Sequence, residues 1–457
     1  GVPELRDARV VVAGAAKSGV ALARFLLARG AKVTLSDKRQ ARDLGPDVAE
    51  LGKAGAVFEF GRHEEKTFTS ADLVAVSPGV PLSIAPLAAA RQAGVRVVAE
   101  VEVASWHLEG TIVGITGSNG KSTTTSLLAH ILAQAGKDAV ACGNLGTPLI
   151  EMADGDNPDR LYVVELSSFQ LEGIETFRPR IAVLLNLSPD HQDRYRDMRA
   201  YYAAKMRLFM NQTTGDQAVL NSDDPEVMRL VRGLKPRRHY FSRRKQVGDG
   251  AFLRDGREIA LIESGKVTGV MPLADLPLFG VHNQENVLAA LLAAHLLGVE
   301  ALRAAEGIRS FRGLPHRLER VRDLDGVAWF NDSKATNVGA VAPSLRSFPG
   351  GIVLIMGGKD KGGAFAELAS VVRERVTTLI LLGQARESIA QQIGPGASSV
   401  PTLLVEGMEE AVPAARAAAR PGGVVLLAPG CASFDQYSGF EARGDHFRRL
   451  VLALKGA

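Results

Sequence analysis

The sequence predicts an α/β protein of three domains: a Rossmann-like N-terminal domain over residues 1–100, a central parallel sheet of the P-loop ATPase type over 101–313, and a Rossmann-like C-terminal domain over 314–457. Three observations predict it. Short β-branched runs alternate with helical segments along the whole chain, the pattern of βαβ units and parallel sheets. Glycine turns follow two of those runs and lead into helices, at Gly14 and at Gly117. The 457 residues are also too many for one ordinary core, at roughly 150 residues per domain.

In chain order, Arg9-Val10-Val11-Val12-Ala13-Gly14 reads as a strand ending in a turn, followed by a helix from Gly19 to Arg29 and a second strand from Lys32 to Ser36. Apolar runs from Leu73 to Val76 and from Val95 to Val98 extend this βαβ unit into a small domain that closes near residue 100. A second strand starts at Thr111 and leads through a glycine-rich loop into a helix from Lys121 to Gln134. Strands of buried type recur from Leu161 to Glu165 and from Ile181 to Asn186, and a helix from Asn283 to Leu297 completes this domain. Gly313-Leu314-Pro315 punctuates the chain there. Beyond it, strands at 352–356, 378–382 and 424–427 alternate with helical segments at 365–374, 408–419 and 441–454. No short-period repeat interrupts the pattern.

Composition narrows the class of function. With 46% hydrophobic residues, 23% charged residues and 48 glycines, the chain has the profile of a packed, loop-rich globular protein. The net charge of +4 is modest, and no run of five or more like charges reads as a nucleic-acid arm; small phosphorylated ligands account for the excess equally well. Cys142 and Cys431 lack CxxC spacing, so neither a disulfide framework nor a zinc site is expected and a reducing compartment fits. The first residues show no basic region followed by an apolar stretch, and no run of about 18 apolar residues occurs anywhere. The expectation is a cytoplasmic monomer that neither inserts in a membrane nor binds nucleic acid.

The chemistry gathers at strand ends. Gly117-Ser118-Asn119-Gly120-Lys121-Ser122 opens a helix after a strand, where loop N–H groups and the helix N-terminus cradle phosphates. Lys121 would reach the transferred phosphate and the Ser122 hydroxyl would hold Mg²⁺. The general P-loop pattern has a glycine where this chain has Ile115, so the loop is a variant; a structural glycine turn is the competing reading. Glu165 ends a strand, at the edge where ligand sites of parallel sheets gather, and is a candidate Mg²⁺ ligand or an ordinary surface carboxylate. Asp190 and His191 follow the next strand, with His191 a candidate metal ligand. Lys205, by itself, reads as a solvated helix lysine. In the first domain Gly14-Ala15-Ala16-Lys17-Ser18-Gly19 lacks the middle glycine of a dinucleotide fingerprint, which argues against an NAD-dependent oxidoreductase.

Taken together and in this order, the Gly117–Ser122 loop, the Asp190-His191 block, Lys205 in Ala-Lys-Met-Arg-Leu-Phe and Gly280-Val281-His282-Asn283-Gln284-Glu285-Asn286 resemble the Mur ligase family over essentially the whole chain. The blocks His316-Arg317, Asn331 to Asn337 and Ala432 to Glu441 resemble its D-glutamate-adding branch. The resemblance implies ATP-dependent ligation of D-glutamate to UDP-N-acetylmuramoyl-L-alanine through an acyl phosphate, in peptidoglycan precursor synthesis. It implies UDP-substrate contacts from Ser18, Gly19, Asp37, Gly79 and Asn144. ATP contacts are implied for Gly117, Ser118, Asn119, Gly120, Lys121, Ser122, Asn283, Asn286, His316, Arg317, Asp332 and Lys334. Two Mg²⁺ sites would draw on Ser122, Glu165, His191 and an N6-carboxylated Lys205, with Lys121, His191 and Lys205 catalytic. D-glutamate would meet Thr336, Lys361, Ser433 and Phe440, with Lys359 the alternative to Lys361. Closure of the C-terminal domain is expected before chemistry. A sibling ligase or folylpolyglutamate synthetase, and a P-loop protein acting on nucleic acid, are the competing readings. The Asp435-Gln436-Tyr437-Ser438-Gly439-Phe440 block argues against the first, and the lack of a basic stripe against the second.

Overall fold

The computed structural model of the chain describes residues 1–144, 146–188, 197–360 and 362–457. It falls into two compact units, one of residues 1–276 and 284–311, the other of residues 277–283 and 312–457.

The first unit carries two sheets. Strands β1 (Arg9–Ala13), β2 (Lys32–Asp37), β3 (Val57–Phe60), β4 (Leu73–Val76) and β5 (Arg96–Ala99) form a parallel sheet in the order β3-β2-β1-β4-β5. Central strands β1 and β4 are buried over nearly their whole length, which is why they read as unbroken apolar runs. The order reverses between β1 and β4, and a parallel sheet opens its ligand crevice at such a switch point. There Ser77 Oγ donates to the carbonyl of Gly14 at 3.1 Å. A Cβ on Gly19 would sit 1.7 Å from that same carbonyl oxygen, so only glycine lets the helix Lys17–Ala28 start so close to β1.

The second sheet is larger. It comprises β6 (Thr111–Thr116), β7 (Ala139–Gly143), β8 (Leu161–Glu165), β9 (Ile181–Leu184), β10 (Gln217–Asn221), β11 (Arg237–Ser242), β12 (Gly250–Arg254), β13 (Glu258–Glu263) and β14 (Lys266–Pro272). Their order is β14-β13-β12-β11-β10-β9-β6-β8-β7. The pairs from β7 to β12 are parallel, and β12–β13 and β13–β14 are antiparallel. The segment Glu100–Ser105 links the two sheets, fixed by buried Glu102, whose carboxylate accepts from the backbone N–H groups of Glu175, Thr176 and Phe177 at 2.8–3.1 Å. One apolar cluster runs through both sheets, from Val10, Leu22 and Leu35 to Tyr162, Leu184 and Leu208.

The second unit has one sheet of β15 (Glu319–Leu324), β16 (Val327–Asn331), β17 (Ile352–Gly357), β18 (Val376–Leu382), β19 (Thr402–Leu404) and β20 (Val424–Leu427). The order is β15-β16-β20-β17-β18-β19, parallel except for the β15–β16 hairpin. Separate apolar clusters, around Leu354 and around Ile355, cover its two faces, as alternate residues of a fully buried strand require.

The expected elements are present with ends shifted by a few residues: Lys17–Ala28 for the first helix, Val281–Leu296 for the helix expected from Asn283, and Ile181–Leu184 for the strand expected to reach Asn186. The segment expected to be helical over 365–374 begins as a 3₁₀ turn, Phe365–Leu368, before the helix Ala369–Arg375. The strands β3, β7, β10 to β16 and β19 were not anticipated. Among the described residues no helix is long and apolar enough to cross a membrane.

Candidate active site

The glycine loop lies at the C-terminal end of β6, the third strand from the β7 edge of the large sheet. Two glycines give it its shape: Gly117 has φ 154° and Gly120, the N-cap of the helix Lys121–Gln134, has φ 87°. A side chain at Gly120 is excluded twice, by this left-handed backbone and by Asn286, whose Oδ1 would lie 2.3 Å from a Cβ there. The loop is braced from behind by residues that the sequence did not single out. Asn119 N–H donates to Asn186 Oδ1 at 2.8 Å while Asn186 Nδ2 donates back to the Asn119 carbonyl at 2.9 Å. Ser118 Oγ donates to the Ser188 carbonyl and accepts from the Ser188 N–H, both at 2.9 Å. No spacing signal announces such a pairing, because Asn186 and Ser188 follow β9, whose pairing with β6 appears only in the fold.

Two lysines meet at this loop. Lys121 Nζ and Lys205 Nζ each donate to the carbonyl oxygen of Gly117 at 2.8 Å. Lys205 is only 1% exposed, which overturns its reading as a solvated helix lysine: the helix Met198–Met206 turns it into the protein, where it also lies 4.9 Å from the Tyr201 ring centroid. Two ammonium groups on one carbonyl oxygen repel each other, and an added carboxylate on Lys205 would reverse the sign of that interaction.

Ser122 and Glu165 are both buried, and the Ser122 hydroxyl is 3.1 Å from each Glu165 carboxylate oxygen. A hydroxyl and a carboxylate beside the Gly117–Ser122 loop are the hard oxygen donors that suit Mg²⁺, so these residues fit the ion. Glu165 is therefore no surface carboxylate. Asn144, exposed, joins it through a backbone N–H that donates to the Glu165 carbonyl at 2.9 Å. Among the described residues no group of three or more His, Cys, Asp or Glu side chains is arranged to hold a metal. Asp190, His191 and Lys361 lie outside the described residues.

In the small parallel sheet Asp37 ends β2 and turns its carboxylate to the Gly14 loop. It accepts from Ala15 N–H at 2.7 Å, Arg39 N–H at 2.8 Å and the Arg39 guanidinium at 2.9 and 3.0 Å. Burial alone would push this carboxyl up, but the Arg39 guanidinium and the two N–H donors outweigh it and hold the pKa at about 2. Ser18 is half-buried at the start of the helix, and Gly79 is exposed after β4. The fold thus gathers Asp37, Ser18 and Gly19 around one loop.

In the second unit His316, Asp332, Lys334 and Phe440 converge, while Ser433, buried, accepts the Tyr437 N–H on its carbonyl at 2.8 Å. His316, with φ 66°, accepts the Lys334 N–H on its carbonyl at 3.0 Å, and its ring Nδ1 lies 2.9 Å from Asn331 Nδ2. Lys334 Nζ stands 4.4 Å from the centroid of the Phe440 ring. Asp332 accepts from Leu318 N–H at 3.0 Å, and burial raises its pKa. Arg443, 1% exposed, ties these segments together by donating to Ser333 Oγ, the Ser333 carbonyl and the Cys431 carbonyl at 2.9–3.0 Å. No pattern in the sequence points to an arginine inside. Thr336 and Arg317 are half-buried in the same stretch, whereas Asn283, in the residues 277–283, donates its amide to the Phe279 carbonyl at 2.6 Å. Lys359 is exposed, its backbone paired with Ala432.

Known proteins resemble the chain along its whole length. Residues 8–99 match the MurD-like N-terminal domain of Mur ligases, residues 115–294 the Mur ligase middle domain and residues 316–431 the Mur ligase glutamate ligase domain. The UDP-N-acetylmuramoylalanine–D-glutamate ligase of Geobacter sp. (strain M21) is 46% identical over 452 residues, 99% of each chain. The ligase of the same name from Acidobacterium capsulatum is 44% identical over 455 residues, 99% of this chain and 98% of its own. Among solved structures, the UDP-N-acetylmuramate-alanine ligase of Thermotoga maritima superposes with a TM-score of 0.60 at 18% identity, covering 98% of this chain and 100% of that one. The pseudomurein peptide ligase type C of Methanothermus fervidus gives 0.59 at 19%, with the same coverage. At such identities these structures speak to the fold alone.

Proposed function

The chain belongs to the Mur ligase family, and from that premise we propose how its residues divide the work. It is an ATP-dependent ligase that adds D-glutamate to UDP-N-acetylmuramoyl-L-alanine in peptidoglycan precursor synthesis. In the reading proposed here, Ser18, Gly19, Asp37, Gly79 and Asn144 serve the UDP-substrate, with Asp37 acting through the loop it pins. Residues 117–122, with Asn283, Asn286, His316, Arg317, Asp332 and Lys334, serve ATP. Thr336, Lys361, Ser433 and Phe440 serve D-glutamate. The work is divided over three domains, 1–100, 101–313 and 314–457, in a cytoplasmic enzyme acting as a monomer.

A carboxylate oxygen of the alanyl group attacks the γ-phosphorus of ATP; the new O–P bond forms as the bond to the bridging β,γ-oxygen breaks and ADP leaves. Loop N–H groups and Lys121 meet the charge that develops on the phosphoryl oxygens. Ser122, Glu165 and His191 would hold Mg²⁺, with an N6-carboxylated Lys205 at a second ion. When bound, the metal neutralises phosphate charge. The amine of D-glutamate then adds to the acyl phosphate carbonyl and loses a proton, and the tetrahedral intermediate expels phosphate to leave the amide.

The observation that carries this chemistry is the meeting of Lys121 and Lys205 on the Gly117 carbonyl, next to buried Ser122 and Glu165. The decisive experiment is phosphate release from ATP with UDP-N-acetylmuramoyl-L-alanine and, in parallel, D-glutamate, L-alanine, meso-diaminopimelate, L-lysine or no amino acid. Release should require both the nucleotide-sugar and D-glutamate and give the amide by mass. Release with another amino acid instead would move the assignment to a sibling ligase.

A further inference from the structure

Resting on the reading that Ser433 and Phe440 serve D-glutamate, we propose that Tyr437 and His446 are positioning residues for that amino acid: their side-chain hydrogen bond keeps the chain between Ser433 and Phe440 in the shape that binds it. The Tyr437 hydroxyl and His446 Nδ1 are 2.7 Å apart. Tyr437 reaches Ser433 directly, since its backbone N–H donates to the Ser433 carbonyl at 2.8 Å, beside that of Gln436 at 3.2 Å. His446 stands on the helix Phe440–Ala453, whose first residue is Phe440. The bond therefore ties the turn that begins at Ser433 to the helix that begins at Phe440.

Burial contributes little to holding this stretch. Phe434 is 65% exposed, and Asp435, Gln436 and Ser438 are exposed as well. With so little apolar surface removed from water, the entropy lost on ordering these residues has to be offset by polar anchors. Asp435 Oδ2 accepts the Gln384 N–H at 3.0 Å, and Gln436 Nε2 donates to the Glu406 carbonyl at 2.8 Å. These two tie the turn to the chain beyond β18 and beyond β19, and the tyrosine ties it to the helix that carries Phe440.

Tyr437 is half-buried, and with His446, Glu406, Glu409 and Glu410 it lines a cavity of about 460 Å³. On that side the tyrosine meets open space rather than packed side chains, so its hydroxyl bond carries the restraint. The far nitrogen of the ring, His446 Nε2, is 3.7 Å from Glu409 Oε1. A phenol donates to a neutral imidazole nitrogen and accepts from a protonated one, so the anchor holds in either state of the ring. Without it the turn samples other shapes, and the apparent affinity for a ligand falls with the fraction of molecules that keep the binding shape.

The test is steady-state kinetics of the ligation, each substrate varied in turn, in the wild type, Tyr437→Phe, His446→Leu, the double variant and His446→Asn, whose side-chain amide puts a polar atom near the place of Nδ1. KM for D-glutamate should rise about fivefold to tenfold in Tyr437→Phe and in His446→Leu, with kcat at saturation and KM for ATP within about twofold of the wild type. The double variant should be no worse than either single one, because both remove the same bond, and His446→Asn should keep most of the affinity. A bond that merely stabilises the fold would lower Tm and leave KM for D-glutamate where it was. That result, or single effects that multiply in the double variant, overturns the inference. Should His446→Leu fail to fold, Tyr437→Phe, which removes one oxygen atom, decides it alone. Ser433→Ala, measured alongside, separates failure of the underlying reading: an unchanged KM for D-glutamate there means that Ser433 does not serve that substrate, whereas a raised KM there with an unchanged one in Tyr437→Phe overturns the inference only.

Discussion

At the scale of single residues, the Gly117–Ser122 loop presents one carbonyl oxygen that two lysines share. Lys121→Ala is expected to lower kcat by about a hundredfold or more, the usual cost of losing one preorganised donor to a developing charge. Lys205→Ala is expected to be equally inactive but partly rescued by added short-chain carboxylic acids, which would replace the missing carboxylate. Full activity without additive would remove the carboxylated lysine from the mechanism. Asp37 allows a pH test with a defined sign. Its folded pKa lies at about 2, below the ordinary 3.8, so the stability it contributes is present above the ordinary value and disappears as pH falls through the folded one. Asp37→Asn should therefore lower Tm near neutral pH, and its gap to the wild type should close between pH 3.8 and about 2. The sequence made the glycines, Lys121 and Ser122 legible because their chemistry depends on local order. It concealed the burial of Lys205 and Arg443, because burial comes from what packs on a helix from elsewhere in the chain.

At the scale of elements, the helix Phe440–Ala453 lies so close to the His316 turn that a Cβ on Gly444 would come within 2.1 Å of His316 Nδ1. Gly444→Ala should displace His316, lose about 1–3 kcal/mol of stability by overpacking and reduce kcat/KM for ATP, measurable by denaturant unfolding and steady-state rates. Normal values in both would show that the contact is slack. Parallel strands such as β4, β8 and β20 were read to the residue, since continuous apolar runs bounded by turns have few alternative explanations. Among the strands that escaped notice, β14 lies at the edge of the large sheet and its exposure alternates with little regularity, whereas β13 beside it is buried from Ile259 to Ile262. The end of β9 was set too late: Leu185 still donates its N–H to the Thr116 carbonyl at 3.0 Å, but its own carbonyl accepts from the Asn221 side-chain amide at 2.9 Å, and the strand ends at Leu184.

At the scale of the whole molecule, the chain divides into two compact units with their own apolar clusters. Calorimetry should accordingly resolve two transitions. A non-hydrolysable ATP analogue with Mg²⁺, at a hundred times its Kd, should stabilise the unit that contains residues 117–122 by about 2.7 kcal/mol. A single transition that shifts as one would mean that the units unfold as a cooperative whole. The number of sheets and their parallel character followed from the alternation of runs and helices. The grouping of two sheets in one unit did not, because it depends on buried links such as Glu102 that no local pattern distinguishes from a solvated helix glutamate.

The brace behind the Gly117–Ser122 loop has a consequence for how the protein ages. Asn119 precedes Gly120, the dipeptide step at which an asparagine side chain most readily cyclises onto the next peptide nitrogen and deamidates. Here its amide donates to Ser188 Oγ at 3.2 Å, its backbone is clasped by Asn186, and Asn286 packs on Gly120. Cyclisation needs a flexible backbone, so the clasp acts as a preservative. In a stored preparation, chemical damage at this step should follow the rate at which the loop loosens, and should outpace any loss of bulk structure.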